Sequence, residues 1–208
     1  MMDKKFQILE SILFENGNYF LLDYHLSRFN ETTLYFNFPN PQILLQEKLN
    51  NFQNDHKTGP QSYKIRLLLD ETGIILLENT VLDKIQSAKI LLSDSIIDSK
   101  EVFLYHKTTN RDYYRDSNQI IFENGLADLI YMNEKEELTE GSRTNIFFQL
   151  DGMLYTPPLT CGLLPGTYRQ FMIDQGKVKE KILKKKDINK VEQFYIGNSV
   201  RGILKVFF

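Results

Sequence analysis

Cysteine occurs once in this 208-residue chain, at Cys161. No disulfide can form within it, and nothing points to secretion. A lone cysteine without a nearby histidine is more often a buried small hydrophobe than a nucleophile. Histidine is nearly as scarce: His25, His56 and His106 are scattered and show no metal-ligand spacing. Neither sign of charge dominates. With 25 basic and 27 acidic residues the formal net charge is -2, so there is no electrostatic case for nucleic acid as the main partner. The basic run Lys184-Lys185-Lys186 lies in a polar stretch and reads as a solvated face. No apolar stretch approaches the length that spans a bilayer. Gln7, Glu10 and Ser11 interrupt the apolar residues near the N-terminus, so that segment does not read as a signal peptide. A cytoplasmic protein with neither membrane nor nucleic acid as partner is expected.

What is present suits a folded enzyme-sized chain. Hydrophobic residues make up 42% and charged residues 25%, an ordinary balance that excludes extended disorder. The length allows one large domain or two small ones. Phe6 to Phe14, the turn Glu15-Asn16-Gly17-Asn18 and Tyr19 to Leu22 read as a hairpin. Asp23 is placed to cap a helix from Tyr24, with Leu26, Phe29, Thr33 and Phe36 at helical spacing. A second helix fits Gln42 to Phe52, and a second hairpin fits Tyr63 to Leu69 and Ile74 to Glu78 around Asp70-Glu71-Thr72-Gly73. Further on, Lys89 to Leu92 reads as a strand, Thr109 to Asn124 as a helix and Asp128 to Met132 as a strand. Asn145 to Leu150 and Met153 to Tyr155 form a third hairpin across Asp151-Gly152. A helix opens at Thr167 and runs to about Asp174, a short one starts at Asp187, and Tyr195-Ile196 and Ile203 to Phe208 are strand-like. The domain boundary is expected in the polar region of residues 80 to 88.

Five places could carry chemistry. Lys107, at a strand-to-helix junction, would have its pKa lowered by desolvation, and the neutral amine can attack an aldehyde. Glu140, in Thr139-Glu140-Gly141-Ser142, could hold a protonated ring nitrogen by a charge-assisted hydrogen bond. Gly162-Leu163-Leu164-Pro165-Gly166 precedes a helix, whose first amides can receive a phosphate. Gly197 to Gly202 offers amides, the Ser199 hydroxyl and the Arg201 guanidinium in one loop that could wrap an anion. Arg28 lies near a helix start, where a basic side chain gains nothing from the dipole. Each alone also fits a surface residue or an ordinary turn. Their order along the chain singles them out.

The stretch Leu138-Thr-Glu-Gly-Ser-Arg-Thr-Asn-Ile-Phe-Phe148, then Asp151-Gly152, Tyr155-Thr156-Pro157-Pro158, Leu163-Leu164-Pro165-Gly166 and Arg169, closely resembles the class IV pyridoxal-phosphate aminotransferases. His25-Leu-Ser-Arg28 resembles that family's His-x-x-Arg, and Lys107-Thr-Thr-Asn110-Arg111 its lysine region. Phe194 to Val206 resembles its last phosphate loop, in a form most like the 4-amino-4-deoxychorismate lyase branch.

The resemblance implies an α+β fold of type IV. It has a small N-terminal α+β domain, residues 1–84, and a larger β-barrel-like α/β domain for pyridoxal 5′-phosphate (PLP), residues 85–208. It implies a homodimer acting on a small amino-acid-like substrate. Lys107 would carry the cofactor covalently and later move the substrate proton. Glu140 would pair with the pyridine nitrogen, and Arg28, Thr167, Tyr168 and Ser199 would hold the phosphate. Asn110 and Arg111 would support the cofactor side. Arg143 could meet a substrate carboxylate, an inference from its charge rather than from the family. Two departures from the family stand out. The chain starts almost at the strand that follows a Gly-rich segment in relatives and stops just after the last loop, so parts of the pocket or interface are expected to be missing or rebuilt. And Thr167-Tyr168 stands where many aminotransferases have Ile-Thr, which removes a threonine hydroxyl but keeps the amide. The expected activity is the lyase; an aminotransferase of the branched-chain or D-amino-acid type and a non-catalytic cofactor-binding relative are the alternatives.

Overall fold

The structure, a computed structural model, describes residues 5–59, 61–82 and 87–208. It divides into two compact units, Met1–Lys84 with Lys107–Asn110, and Ile85–His106 with Arg111–Phe208. The expected boundary between residues 84 and 85 lies outside the described residues. The stretch Lys107–Asn110, which the range 85–208 would count with the larger domain, groups with the smaller unit.

In the smaller unit, β1 (Ile8–Glu15) alternates strictly: Ile8, Glu10, Ile12 and Phe14 are buried and the residues between them are half-buried. Period two on one covered face is what a sheet backed by helices requires. Asn16 and Gly17 both take positive φ, 52° and 75°, and return the chain into β2 (Asn18–Tyr19). The helix α1 (Leu22–Tyr35) follows. Its cap position is Leu21, at φ 55°, and not Asp23, which lies in the first turn, where a negative charge still favours the dipole. α2 (Gln42–His56) buries Leu45, Leu49 and Phe52. β3 (Tyr63–Leu69) and β4 (Ile75–Val81) complete an antiparallel sheet in the order β2-β1-β3-β4. Asp70 Oδ1 ties the β3–β4 turn by accepting from the Thr72 and Ile74 amides. Phe29, Leu45 and Leu49 pack with Ile8, Leu67, Leu69 and Ile75 into one core cluster.

The residues around Lys107 join this sheet. Leu9 N–H donates to the Lys107 carbonyl at 2.9 Å, and Thr109 N–H donates to the Gln7 carbonyl at 2.9 Å. The helix expected from Thr109 to Asn124 is therefore shorter. The chain bends at Thr109, just after the Thr108 bridge to Ile8 of β1, a 3-10 turn follows at Asp112–Tyr114, and only α3 (Ser117–Asn124) is helical.

In the larger unit, β5 (Ile90–Ile97) runs parallel to β6 (Asp128–Asn133), with α3 in the crossover between them. β7 (Leu138–Gly141), β8 (Asn145–Leu150) and β9 (Met153–Thr156) continue antiparallel. Asp151 and Gly152, at φ 52° and 71°, make the tight turn their sequence promises. A 3-10 turn at Leu159–Cys161 leads to α4 (Thr167–Asp174), then β10 (Lys179–Glu180), β11 (Gln193–Asn198) and β12 (Gly202–Val206). β11 pairs with the other edge of β8 and with β12. Just past β12, the Phe207 carbonyl accepts from Ile90 N–H at 2.8 Å. The path β5-β6-β7-β8-β11-β12 thus returns to β5 and closes a ring of strands, in keeping with the barrel-like expectation.

Alternation sorts the side chains. Ile130, Met132, Ile146, Phe148 and Ile196 form one core cluster. Their strand neighbours face the other way: Leu129 and Tyr131 pack with Ile121 of α3, and Phe147 packs with Met172 of α4. Thr139-Glu140-Gly141 is a buried strand rather than the polar turn its composition suggests. Its polar groups are satisfied internally, as burial demands: Thr139 Oγ1 donates to the Tyr131 carbonyl at 3.0 Å.

Candidate active site

On the smaller unit a buried charge cluster sits under the lysine strand. Glu10 is 1% exposed. Arg28 grips it with two bonds, Nε to Oε1 at 2.8 Å and Nη2 to Oε2 at 2.7 Å, the paired geometry in which guanidinium and carboxylate bind most strongly. His25 Nδ1 lies 2.6 Å from Glu10 Oε2. Burial alone would raise the Glu10 carboxyl; Arg28 and His25 overcome this and hold it well below its ordinary range. His25 itself is lowered, chiefly by burial and further by the charges of Arg28 and Lys107, against the pull of Glu10. We therefore take His25 as neutral, donating its Nδ1–H, with Arg28 as the counter-charge of Glu10.

That assignment has a pH signature. A histidine harder to protonate when folded leaves stability intact above its ordinary value of 6.5 and erodes it as pH falls below. The unfolding temperature of cofactor-free protein should drop by about 3–5 °C per pH unit below that point. In His25→Gln, which cannot titrate, calorimetry should find a flatter profile; equal slopes would contradict the neutral assignment.

On the larger unit Glu140 is the centre. It is 4% exposed, on β7. Its Oε1 accepts from the Tyr114 hydroxyl at 3.0 Å and its Oε2 from Asn145 Nδ2 at 3.1 Å. Burial, then the charge of Glu140, raises the Tyr114 phenol well above 10, so it stays a donor. Arg111 lies 5.0 Å over the Tyr114 ring and donates to the Ser142 carbonyl at 2.7 Å. Asp128, 0% exposed, gathers the next turn: it accepts from Ser142 Oγ at 2.6 Å, Thr144 Oγ1 at 2.7 Å and the Arg143 amide at 3.1 Å. A Cβ on Gly141 would overlap the Asp128 carboxylate.

The start of α4 stands beside the β11–β12 turn. Gly166 is the cap residue and has no side chain to offer the helix start. A Cβ on Gly197 would come 3.4 Å from Tyr168 Cδ1 and 3.0 Å from the Gly202 carbonyl. Thr167 and Ser199 are buried on these two elements. Asn198 Oδ1 accepts from the Val200 and Arg201 amides at 3.0 and 2.9 Å and so shapes the turn. Arg169, 1% exposed, fastens the helix by bonding the Pro157 carbonyl and the Glu180 carboxylate.

The expected residues are therefore found in two groups. Lys107 and Arg28 stand on the smaller unit, Lys107 bonded to β1 by its main chain and Arg28 by its side chain; Glu140, Thr167, Tyr168 and Ser199 stand on the larger. Arg143 is exposed, its guanidinium bonded to Asn118 at 2.5 Å. Its main chain works inward, the carbonyl accepting from Asn198 Nδ2 at 3.1 Å. Asn110 N–H turns to Thr108 Oγ1 at 3.2 Å. Cys161 is fully buried, its thiol pushed up to about 12 by burial and Glu137, and is inert. Sequence reasoning missed Glu10, Tyr114 and Asn145. Glu10 carried a signal: a carboxylate at an inward position of an alternating strand needs a buried partner.

The sequence profile described as amino-transferase class IV matches residues 7–207. The chain belongs to that family. A Schizosaccharomyces pombe protein provisionally named an aminodeoxychorismate lyase is 28% identical over 211 residues, covering 94% of this chain and 89% of that one. The branched-chain-amino-acid aminotransferase of Escherichia coli (strain K12) is 28% identical over only 87 residues, 39% of this chain and 28% of its own length. The crystal structure of a Mesorhizobium loti protein, provisionally an amino-acid aminotransferase, superposes with a TM-score of 0.86 at 26% identity, covering 97% of this chain and 99% of that chain. Class IV aminotransferases are PLP enzymes with the type IV fold, and this chain is one. Its residues fit the cofactor. A buried carboxylate suits a protonated ring nitrogen, and a helix start behind a glycine, beside a glycine-lined turn, suits a phosphate. Among the described residues no helix is long and apolar enough to cross a membrane.

Proposed function

We propose that the chain is a 4-amino-4-deoxychorismate lyase, releasing 4-aminobenzoate and pyruvate for folate synthesis. The observation that carries this is the near end-to-end match with the Schizosaccharomyces pombe protein, where the Escherichia coli aminotransferase aligns over a minority of either chain. The reaction needs no second substrate, since the two products together hold all the atoms of 4-amino-4-deoxychorismate.

Bound PLP supplies an electron sink for the carbon next to the substrate nitrogen. Lys107 carries the cofactor and, once displaced by the substrate amine, takes the proton from that carbon on Nζ. It also returns a proton to the departing enolpyruvyl group, which leaves as pyruvate while the ring becomes aromatic. Glu140, with the Tyr114 and Asn145 donors on its two oxygens, holds the proton on the ring nitrogen. The amides of Thr167 and Tyr168, the Ser199 hydroxyl and Arg28 bind the phosphate.

The test is to give cofactor-loaded protein 4-amino-4-deoxychorismate without any keto acid and follow both products. Equimolar 4-aminobenzoate and pyruvate over many turnovers are expected. Release only in the presence of an added keto acid, or none from loaded protein, would overturn the lyase. It would favour an amino-acid aminotransferase, the reading that the Mesorhizobium loti relative supports.

A further inference from the structure

Asn145 opens β8 and is 5% exposed. Its amide nitrogen has two hydrogens, and each has an acceptor: Nδ2 lies 3.1 Å from Glu140 Oε2 and 3.1 Å from the Leu164 carbonyl oxygen. Its Oδ1 stands so close over Gly166 that a Cβ there would overlap it. Glu140 and Asn145 are cross-strand partners, and theirs is the β7–β8 register pair. Gly166 is the cap residue of α4, and its own N–H donates to the Leu164 carbonyl at 2.8 Å. One short side chain therefore touches the carboxylate of β7 and the backbone that aims α4.

Other side chains do not reproduce this. Aspartate has no N–H for either acceptor and would set a second negative charge against Glu140. Glutamine carries an extra methylene into a space closed by Gly166. Alanine takes one donor from each acceptor: the Leu164 carbonyl keeps only the Gly166 N–H of the two bonds described, and Glu140 Oε2 loses its bond from β8.

We infer that Asn145 is a positioning residue that couples the ring-nitrogen carboxylate to the phosphate-binding end of α4. The inference rests on the proposed roles of Glu140 and α4. A rigid cofactor held at both ends needs its two anchors at a fixed spacing, and a misplacement of about 1 Å costs about 10²-fold in rate. Asn145 fixes that spacing from within the protein. A disturbance at Glu140 then reaches the Leu164–Gly166 backbone, although neither Glu140 nor Asn145 touches the phosphate.

The probe is inorganic phosphate, titrated into cofactor-free protein, with affinity taken per folded molecule. Asn145→Ala should weaken phosphate by about tenfold, as coupled neighbours do. Glu140→Ala should weaken it by roughly threefold when Asn145 is present and hardly at all when Asn145 is already alanine, the non-additivity that marks a shared path. Unchanged phosphate affinity in Asn145→Ala, or losses that simply multiply, would overturn the coupling while leaving the phosphate site standing. Wild-type protein with no phosphate affinity, or with affinity unaltered by Ser199→Ala, would overturn the proposed site and the coupling with it. Should Asn145→Ala not fold, Glu140→Ala decides by hydrogen exchange at the amides of Gly166, Thr167 and Tyr168. Faster exchange supports the coupling, and unchanged exchange overturns it.

Discussion

Lys107→Ala is expected to lower product release by about 10⁴-fold or more, since it removes both the covalent anchor and a proton mover that alone contributes 10²–10⁴-fold. The fold should survive. The strand that carries Lys107 is held by main-chain bonds, Leu9 N–H to the Lys107 carbonyl and Thr109 N–H to the Gln7 carbonyl, neither of which involves the side chain. Lys107 is only partly buried, so truncation leaves no large cavity. Unfolding free energy should change by less than about 1 kcal/mol. The loss would therefore be catalytic, and steady-state assays beside a denaturation curve separate the two. A variant retaining a tenth of wild-type turnover would contradict the assignment.

Glu10→Gln is expected to have the largest effect on stability. The substitution keeps the shape and removes the charge. Arg28 would then be buried with its counter-charge gone, and breaking a buried pair from one side costs about 3–5 kcal/mol. That is a large part of the 5–15 kcal/mol that typically holds a protein folded. Because the pair is what costs, not the missing oxygen, Glu10→Gln with Arg28→Met should recover most of the loss, as apolar replacement of a whole buried pair often does. Urea denaturation of the three variants measures this. A depressed carboxyl contributes stability above its ordinary value of 4.5 and loses it as pH falls below. Wild-type protein should therefore lose stability below pH 4.5 more steeply than the double variant. Equal stability of Glu10→Gln and wild type would show that the cluster is not needed for the fold.

The same residue shows what the sequence displays and what it hides. Glu10 interrupts an apolar run and so speaks against a signal peptide. That Ile8, Glu10, Ile12 and Phe14 share one buried face is also visible in the alternation. Its partners are not, because they come from a helix 15 and 18 residues away in sequence. Local signals behaved as local physics predicts: Asp151-Gly152 turned a hairpin, and α4 began at Thr167 behind its glycine. The failures were long-range. Thr109 opens the stretch expected to be helical, yet its N–H bonds the Gln7 carbonyl and the Thr108 before it bridges Ile8 of β1, each about a hundred residues earlier, and that pairing overrides propensity. Glu140 looked like turn chemistry until Tyr114 and Asn145 supplied donors that let a carboxylate sit in a buried strand. The motif order marked Lys107, Arg28 and Glu140, while the residues that hold two of them in place, Glu10, Tyr114 and Asn145, emerged only from the packing.

The most direct test of the account is to fix the cofactor on the loaded wild-type protein with borohydride, digest it and map the modified peptide by mass spectrometry. The account predicts one stable modification, of the cofactor's mass, on Lys107. A modification confined to any other lysine, or a protein that takes up no cofactor, would contradict it.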